Sequence, residues 1–167
     1  MKRSTVMLFV VSLAILPVQG IVAQDVSLDK ANREMAASMG MEFNMNSRDN
    51  FAGAFIFGFD YNLPVSDVRL ATGLTFSISN NFFGITVLEP VALIRWYFKE
   101  IEHMELFAQI DLGTFIVLEK QGASTLFLGG LRSGFRLPLG EMLYIEPFGR
   151  LGYPFAFGFG ASAGVRF

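Results

Sequence analysis

Thirteen ionisable side chains recur at alternate positions along this chain: Glu42, Asp60, Asp67, Arg69, Glu89, Arg95, Glu105, Asp111, Arg132, Arg136, Glu146, Arg150 and Arg166. Their spacing repeatedly sets opposite charges on one face, as in Asp67/Arg69, Glu89/Arg95 and Glu146/Arg150. A guanidinium stays charged and offers a fork of donors that matches a carboxylate. A buried charge without a partner costs several kcal/mol, so such a set should pair across an interior and staple it. Other chemistry is poorly served. The lone histidine, His103, sits in the turn-like stretch KEIEH, away from any Ser-plus-acid set on one face. One His, no Cys and scattered acids make no metal site. Glu-Pro occurs twice, at Glu89-Pro90 and Glu146-Pro147. In each, the Glu belongs to the charged face and the Pro to a place where a ladder bond is dispensable. The set predicts a non-enzymatic protein without metal or cofactor.

The elements that must position these charges are strands. After a polar lead-in over residues 24–37, apolar residues recur at every second position almost without interruption. Eight runs are predicted: Met39–Asn46, Phe51–Tyr61, Asp67–Ile78, Thr86–Phe98, Met104–Ile116, Phe127–Leu137, Leu143–Tyr153 and Gly158–Phe167. The links are brief and carry turn residues, among them SRDN, SNNFFG, LEKQGAS and LPLGE. Eight strands of about ten residues with short links predict an all-β fold, an eight-stranded antiparallel up-and-down barrel.

Which face meets water decides what kind of barrel this is. Each of these thirteen charges falls on the polar face and none on the apolar face; the remaining charges lie in the lead-in and the turns. Lys30, Lys99 and Lys120 all fall outside the predicted runs, whereas a soluble barrel covers its outer surface with Lys and Glu. The polar face is rich in Gly, Ala and Ser, which suit the cramped inner wall of eight strands. The arrangement is therefore a transmembrane β-barrel with lipid outside and charge inside. With both termini in the periplasm, Tyr61, Trp96, Phe98, Tyr144 and Phe167 form the periplasmic aromatic girdle, and Phe51, Phe82, Phe83, Tyr153 and Phe155 the outer one. Asp67, Arg69, Arg95, Glu105, Arg136, Glu146 and Arg166 then line the periplasmic half. Smaller groups such as Asn44, Ala54, Ser77, Gly158 and Gly160 line the outer half.

Bulk properties agree. Residues 1–23 read as a cleaved secretory signal peptide: Lys2 and Arg3, an apolar run from Val6 to Leu16, and a small residue at Ala23. Of the 13 Lys and Arg, those two leave with it, and 11 remain against 15 Asp and Glu. An exported acidic chain without a basic patch is no nucleic-acid binder. The 52% hydrophobic share, with 19 Phe and 17 Gly, comes without any later apolar run long enough to span as a helix. Contact with lipid must then be made by strands.

Leader, alternating runs and terminal Phe together resemble the small bacterial outer-membrane β-barrels of the OmpX, OmpW and OmpA transmembrane-domain type, over residues 38–167. The resemblance implies residence in the bacterial outer membrane, with outer-membrane lipid as the surroundings. Periplasmic chaperones and the barrel-assembly machinery would be partners during biogenesis. Phe159, Ala161, Ala163, Val165 and Phe167 match the C-terminal signal read by that machinery. The expected role is structural, within the envelope, around a lumen filled by Arg–carboxylate pairs. The alternative is a narrow channel or binding barrel for small apolar solutes. Adhesive members of this group carry long outer loops, and the four predicted here are very short.

Overall fold

The computed structural model describes residues 35–45, 51–63, 69–80, 85–101, 104–119 and 122–167. The leader, the rest of the lead-in, Asp67 and His103 lie outside them. Eight antiparallel strands follow in chain order: β1 (Met35–Met45), β2 (Phe51–Leu63), β3 (Arg69–Asn80), β4 (Thr86–Ile101), β5 (Met104–Glu119), β6 (Gly122–Leu139), β7 (Leu143–Tyr153) and β8 (Phe157–Arg166). Each pairs with its neighbour, and β1 pairs with β8, so the sheet closes and leaves no side-on edge along its shared length. Met35 and Phe167 exchange backbone hydrogen bonds, which sets both chain ends at one mouth.

Closure imposes a stagger. Ladder partners traced from Ala54 run through Glu42, Gly160, Phe148, Gly134, Phe107 and Tyr97 to Arg69. The path re-enters β2 beyond Leu63, the partner of Leu70. The ladder thus climbs about ten residues per circuit, which tilts the strands by roughly 40° from the barrel axis. Charges distant in sequence and on opposite walls are brought to one level by this tilt.

The alternation resolves into two environments. Leu74, Met39 and Phe55 on the outer face are 65%, 62% and 59% exposed, while Glu42 and Asp111 on the inner face are 0% exposed. An outward hydroxyl is not left bare: Thr72 donates to the Leu93 carbonyl at 3.1 Å. Such pairing matters in hydrocarbon, where an unmet polar group is costly.

Four boundaries differ from the predicted runs by three residues or more. β1 begins at Met35, within the stretch read as lead-in. β4 continues past Phe98 through a bulge between Tyr97 and Lys99, so Lys99 and Glu100 stand in a strand and not in a turn. The strand thus runs on past Trp96 and Phe98, whose rings pair edge to face, towards the mouth, where a membrane barrel tolerates charge. β5 and β6 meet across a two-residue link, which turns most of LEKQGAS into strand and places Glu119 at the end of β5. Gly and Ser in that stretch suggested a loop, but the ladder from Glu119↔Gly122 downward is unbroken and outweighs their low strand propensity. Both Glu-Pro prolines fall where one ladder lapses. β4–β5 pairing skips from Leu88 to Val91, and β6–β7 pairing skips from Phe148 to Ile145.

Candidate functional site: the lumenal charge network

The inward-facing charges pair in three tiers stacked along the barrel. At the mouth that holds the termini, Glu105 of β5 accepts from Arg69 of β3 at 3.2 Å and from Arg166 of β8. In the next tier, Glu146 Oε1 of β7 accepts from Arg95 Nη1 at 2.6 Å and from Arg136 Nε at 2.7 Å. Arg136 Nη2 also reaches Asp60 at 3.4 Å. The upper tier joins five groups. Arg150 bridges Glu42 at 2.9 Å and Glu89 at 3.0 Å, while Arg132 lies 3.4 Å from both Glu42 and Asp111. Asn44 Nδ2 donates to Glu42 at 2.8 Å.

Gln109 ties the tiers together. Its Oε1 accepts from Arg95 Nε at 2.7 Å, and its Nε2 donates to Asp111 at 2.5 Å. One amide therefore meets a cation below and an anion above, which fixes its orientation. Arg95, Arg132, Arg136, Glu42, Glu89, Asp111 and Glu146 are all buried, so these pairs sit in an interior where an unpaired charge is expensive.

Aromatic rings complete the filling. Arg136 stacks 3.9 Å from the Tyr144 ring centre, Arg95 4.3 Å from Phe107 and Arg132 4.4 Å from Phe148. Such contacts strengthen where water is excluded. Two β8 glycines make the space: a methyl on Gly164 would overlap Cζ of Tyr144, and one on Gly160 would lie 2.7 Å from Cζ of Phe148. At the far mouth Phe155 packs on Phe115 at 5.2 Å, with the Arg150 guanidinium 5.6 Å from its ring. The fully buried Leu128 adds a further apolar side chain to the inner face of β6 near that mouth.

Of the thirteen predicted charges, twelve are brought into these tiers, and Asp67 lies outside the described residues. Two aromatic placements change. Tyr144 is 1% exposed and turned into the lumen, not part of a rim girdle, and Phe155 is half-buried between the Phe115 ring and the Arg150 guanidinium. Tyr97, Phe107 and Phe148 belong to the site as well. Their parity was the available signal, since each alternates with a charged or amide residue on the inner face. Gln109 carried the same signal between Phe107 and Asp111. In the upper tier, Ser77 Oγ and Glu89 Oε1 on facing ladder partners have no hydrogen-bond partner among the described residues. Among those residues no three His, Asp or Glu converge as metal ligands.

No family model and no curated relative matches the sequence. Solved structures do. Neisserial surface protein A is 14% identical, with 79% of this chain and 94% of that one covered and a TM-score of 0.55. The N-terminal β-barrel domain of Pseudomonas aeruginosa OprF is 10% identical, covering 81% and 98%, with a TM-score of 0.57. The Yersinia pestis outer membrane protein Ail is 12% identical, covering 81% and 100%, with a TM-score of 0.51. The fold expected from alternation and the terminal Phe is the fold the chain has: a closed, eight-stranded antiparallel transmembrane β-barrel like those of the small outer-membrane proteins.

Proposed function

We propose that this chain is an integral protein of the bacterial outer membrane with a non-enzymatic, structural role in the envelope. One observation carries the reading: the lumen is crossed at three levels by Arg–carboxylate pairs, buried in the upper two and part-buried at the mouth that holds the termini. A passage for ions or solutes would have to break several buried pairs at once, each break leaving an uncompensated charge. Similarity in fold to outer-membrane barrels supports the location, and the apolar outer wall supports residence in lipid. Reconstitution in a planar bilayer tests the role. The expected record is flat at moderate voltage, and discrete solute-dependent openings would instead support the channel reading.

Biogenesis offers a second test. Phe159, Ala161, Ala163, Val165 and Phe167 are exposed on the outer wall of β8, available to a reader before β8 meets β1. Deleting Phe167 is expected to lower the amount found in the outer membrane several-fold. The thermal stability of the protein that does insert should hardly change, because the deletion removes one backbone exchange with Met35 at the rim. Wild-type membrane levels on an outer-membrane fraction blot would count against an assembly signal.

A further inference from the structure

The tiers differ in charge. In the middle one Asp60 and Glu146 face Arg95 and Arg136, two of each sign. The upper one sets Glu42, Glu89 and Asp111 against Arg132 and Arg150, an excess of one negative charge among the described residues. Gln109, which links this tier to the middle one, is neutral and cancels nothing. Glu42, Glu89 and Asp111 are all buried, so bulk water is not at hand to screen the surplus.

The surplus falls on Glu89. Both oxygens of Glu42 accept, one from Asn44 and Arg150 and the other from Arg132. Asp111 accepts from Gln109 through one oxygen and has Arg132 3.4 Å from the other. Glu89 accepts from Arg150 through Oε2, while its Oε1 has no partner among the described residues. Its register partner across the β3–β4 ladder is Ser77, whose hydroxyl is unpartnered as well. The two residues are 1% and 5% exposed. Two buried oxygens thus stand on adjacent strands without bonding each other, and leaving both unmet is costly. Asn44 Oδ1 is also unpartnered, but it packs against Gly158 of β8, away from β3. Ser79, likewise buried, is the next inward residue of β3 towards the mouth opposite the termini.

Three occupants could meet these atoms. A proton on Glu89 cancels the charge but leaves the Ser77 hydroxyl unmet, since the two oxygens are not in hydrogen-bonding geometry. A water molecule between them meets both oxygens and cancels nothing. A small cation does both. The surplus is a single charge, and among the described residues no three carboxylates converge, so a divalent ion would lack its ligands.

We propose that Glu89 Oε1 and Ser77 Oγ hold one monovalent metal cation of the sodium class, which neutralises the upper tier. The site rests on the geometry of that tier and not on the role of the barrel, which the bilayer record tests separately. Thermal unfolding of the full chain in a non-ionic detergent, in sodium chloride against N-methylglucamine chloride at equal ionic strength, reads it out. Sodium should raise the midpoint along a saturating curve, and the bulky organic cation should not. Ser77→Ala should raise the sodium concentration for half the effect about tenfold. Glu89→Gln keeps the shape, removes both the surplus and a ligand, and should abolish the response. Ser133→Ala, which removes an exposed hydroxyl of the outer wall, should leave the response unchanged. If the Glu89→Gln barrel does not fold, Ser77→Ala decides alone. Equal midpoints in the two salts, or an undiminished sodium response in Ser77→Ala or Glu89→Gln, would overturn the proposal. Stabilisation by acid in place of sodium would overturn it in favour of a proton as the counter-charge.

Discussion

Glu146→Ala should be the most damaging single substitution in the lumen, lowering stability by about 3–5 kcal/mol. Glu146 Oε1 is the shared acceptor of Arg95 and Arg136, at 2.6 and 2.7 Å. Its loss strands two buried guanidiniums and, of the carboxylates described, leaves Arg136 only Asp60, at 3.4 Å. Arg95 would keep Gln109 and the Tyr97 hydroxyl, which are neutral acceptors. Arg132→Ala should cost less, because its two carboxylate contacts are both 3.4 Å and Glu42 keeps Arg150 and Asn44. It should still cost more than a substitution in the turn at 47–50. Thermal unfolding in detergent, followed by heat-modifiable migration, gives the order directly. A Glu146→Ala barrel that melts with the wild type would show that the lumen is hydrated enough to screen these charges.

Leu74→Arg tests the other face. Leu74 is the most exposed of the large apolar side chains, on a stretch of β3 opposite Ala92 and well inside the wall. In lipid, an Arg near the bilayer midplane costs about 2–4 kcal/mol. On a water-facing surface the same change would be neutral. Urea unfolding of the barrel folded into phosphatidylcholine vesicles should show the full loss, and the loss should shrink in small micelles where water is close. Equal stability of the two proteins in vesicles would mean that this wall does not face hydrocarbon.

Strand number, facing and the membership of the charge set were legible because a period of two is the direct imprint of a wall between lipid and lumen. What alternation does not carry is distance around the barrel. Spacing puts Asp67/Arg69, Glu89/Arg95 and Glu146/Arg150 on one face and implies pairing across the barrel, but not which partners meet: Arg69 bonds Glu105, Arg95 bonds Glu146 and Glu89 bonds Arg150. Those choices follow from the stagger of the ladder, a property of closure that no single strand encodes. Tyr144 was misplaced for a related reason: an aromatic near a strand end suits a girdle, but its parity put it inside, and Gly164 on the neighbouring strand leaves the gap that its ring fills. The extended β5–β6 hairpin was hidden by Gly and Ser, residues that read as a loop until a continuous partner strand is present.

The same stagger has a consequence for how the chain reaches its native state. Glu42 stands on the first strand, and its arginines arrive 90 and 108 residues later, on the sixth and seventh. Glu89 likewise waits 61 residues for Arg150. Partially built sheets would hold these carboxylates unneutralised in a low-dielectric setting, so half-formed barrels have little stability of their own. Contacts this remote in sequence also make the search slow. The barrel should therefore assemble late and in a single concerted closure, with unpaired charge acting as a penalty on every intermediate that stops short of the β1–β8 seam.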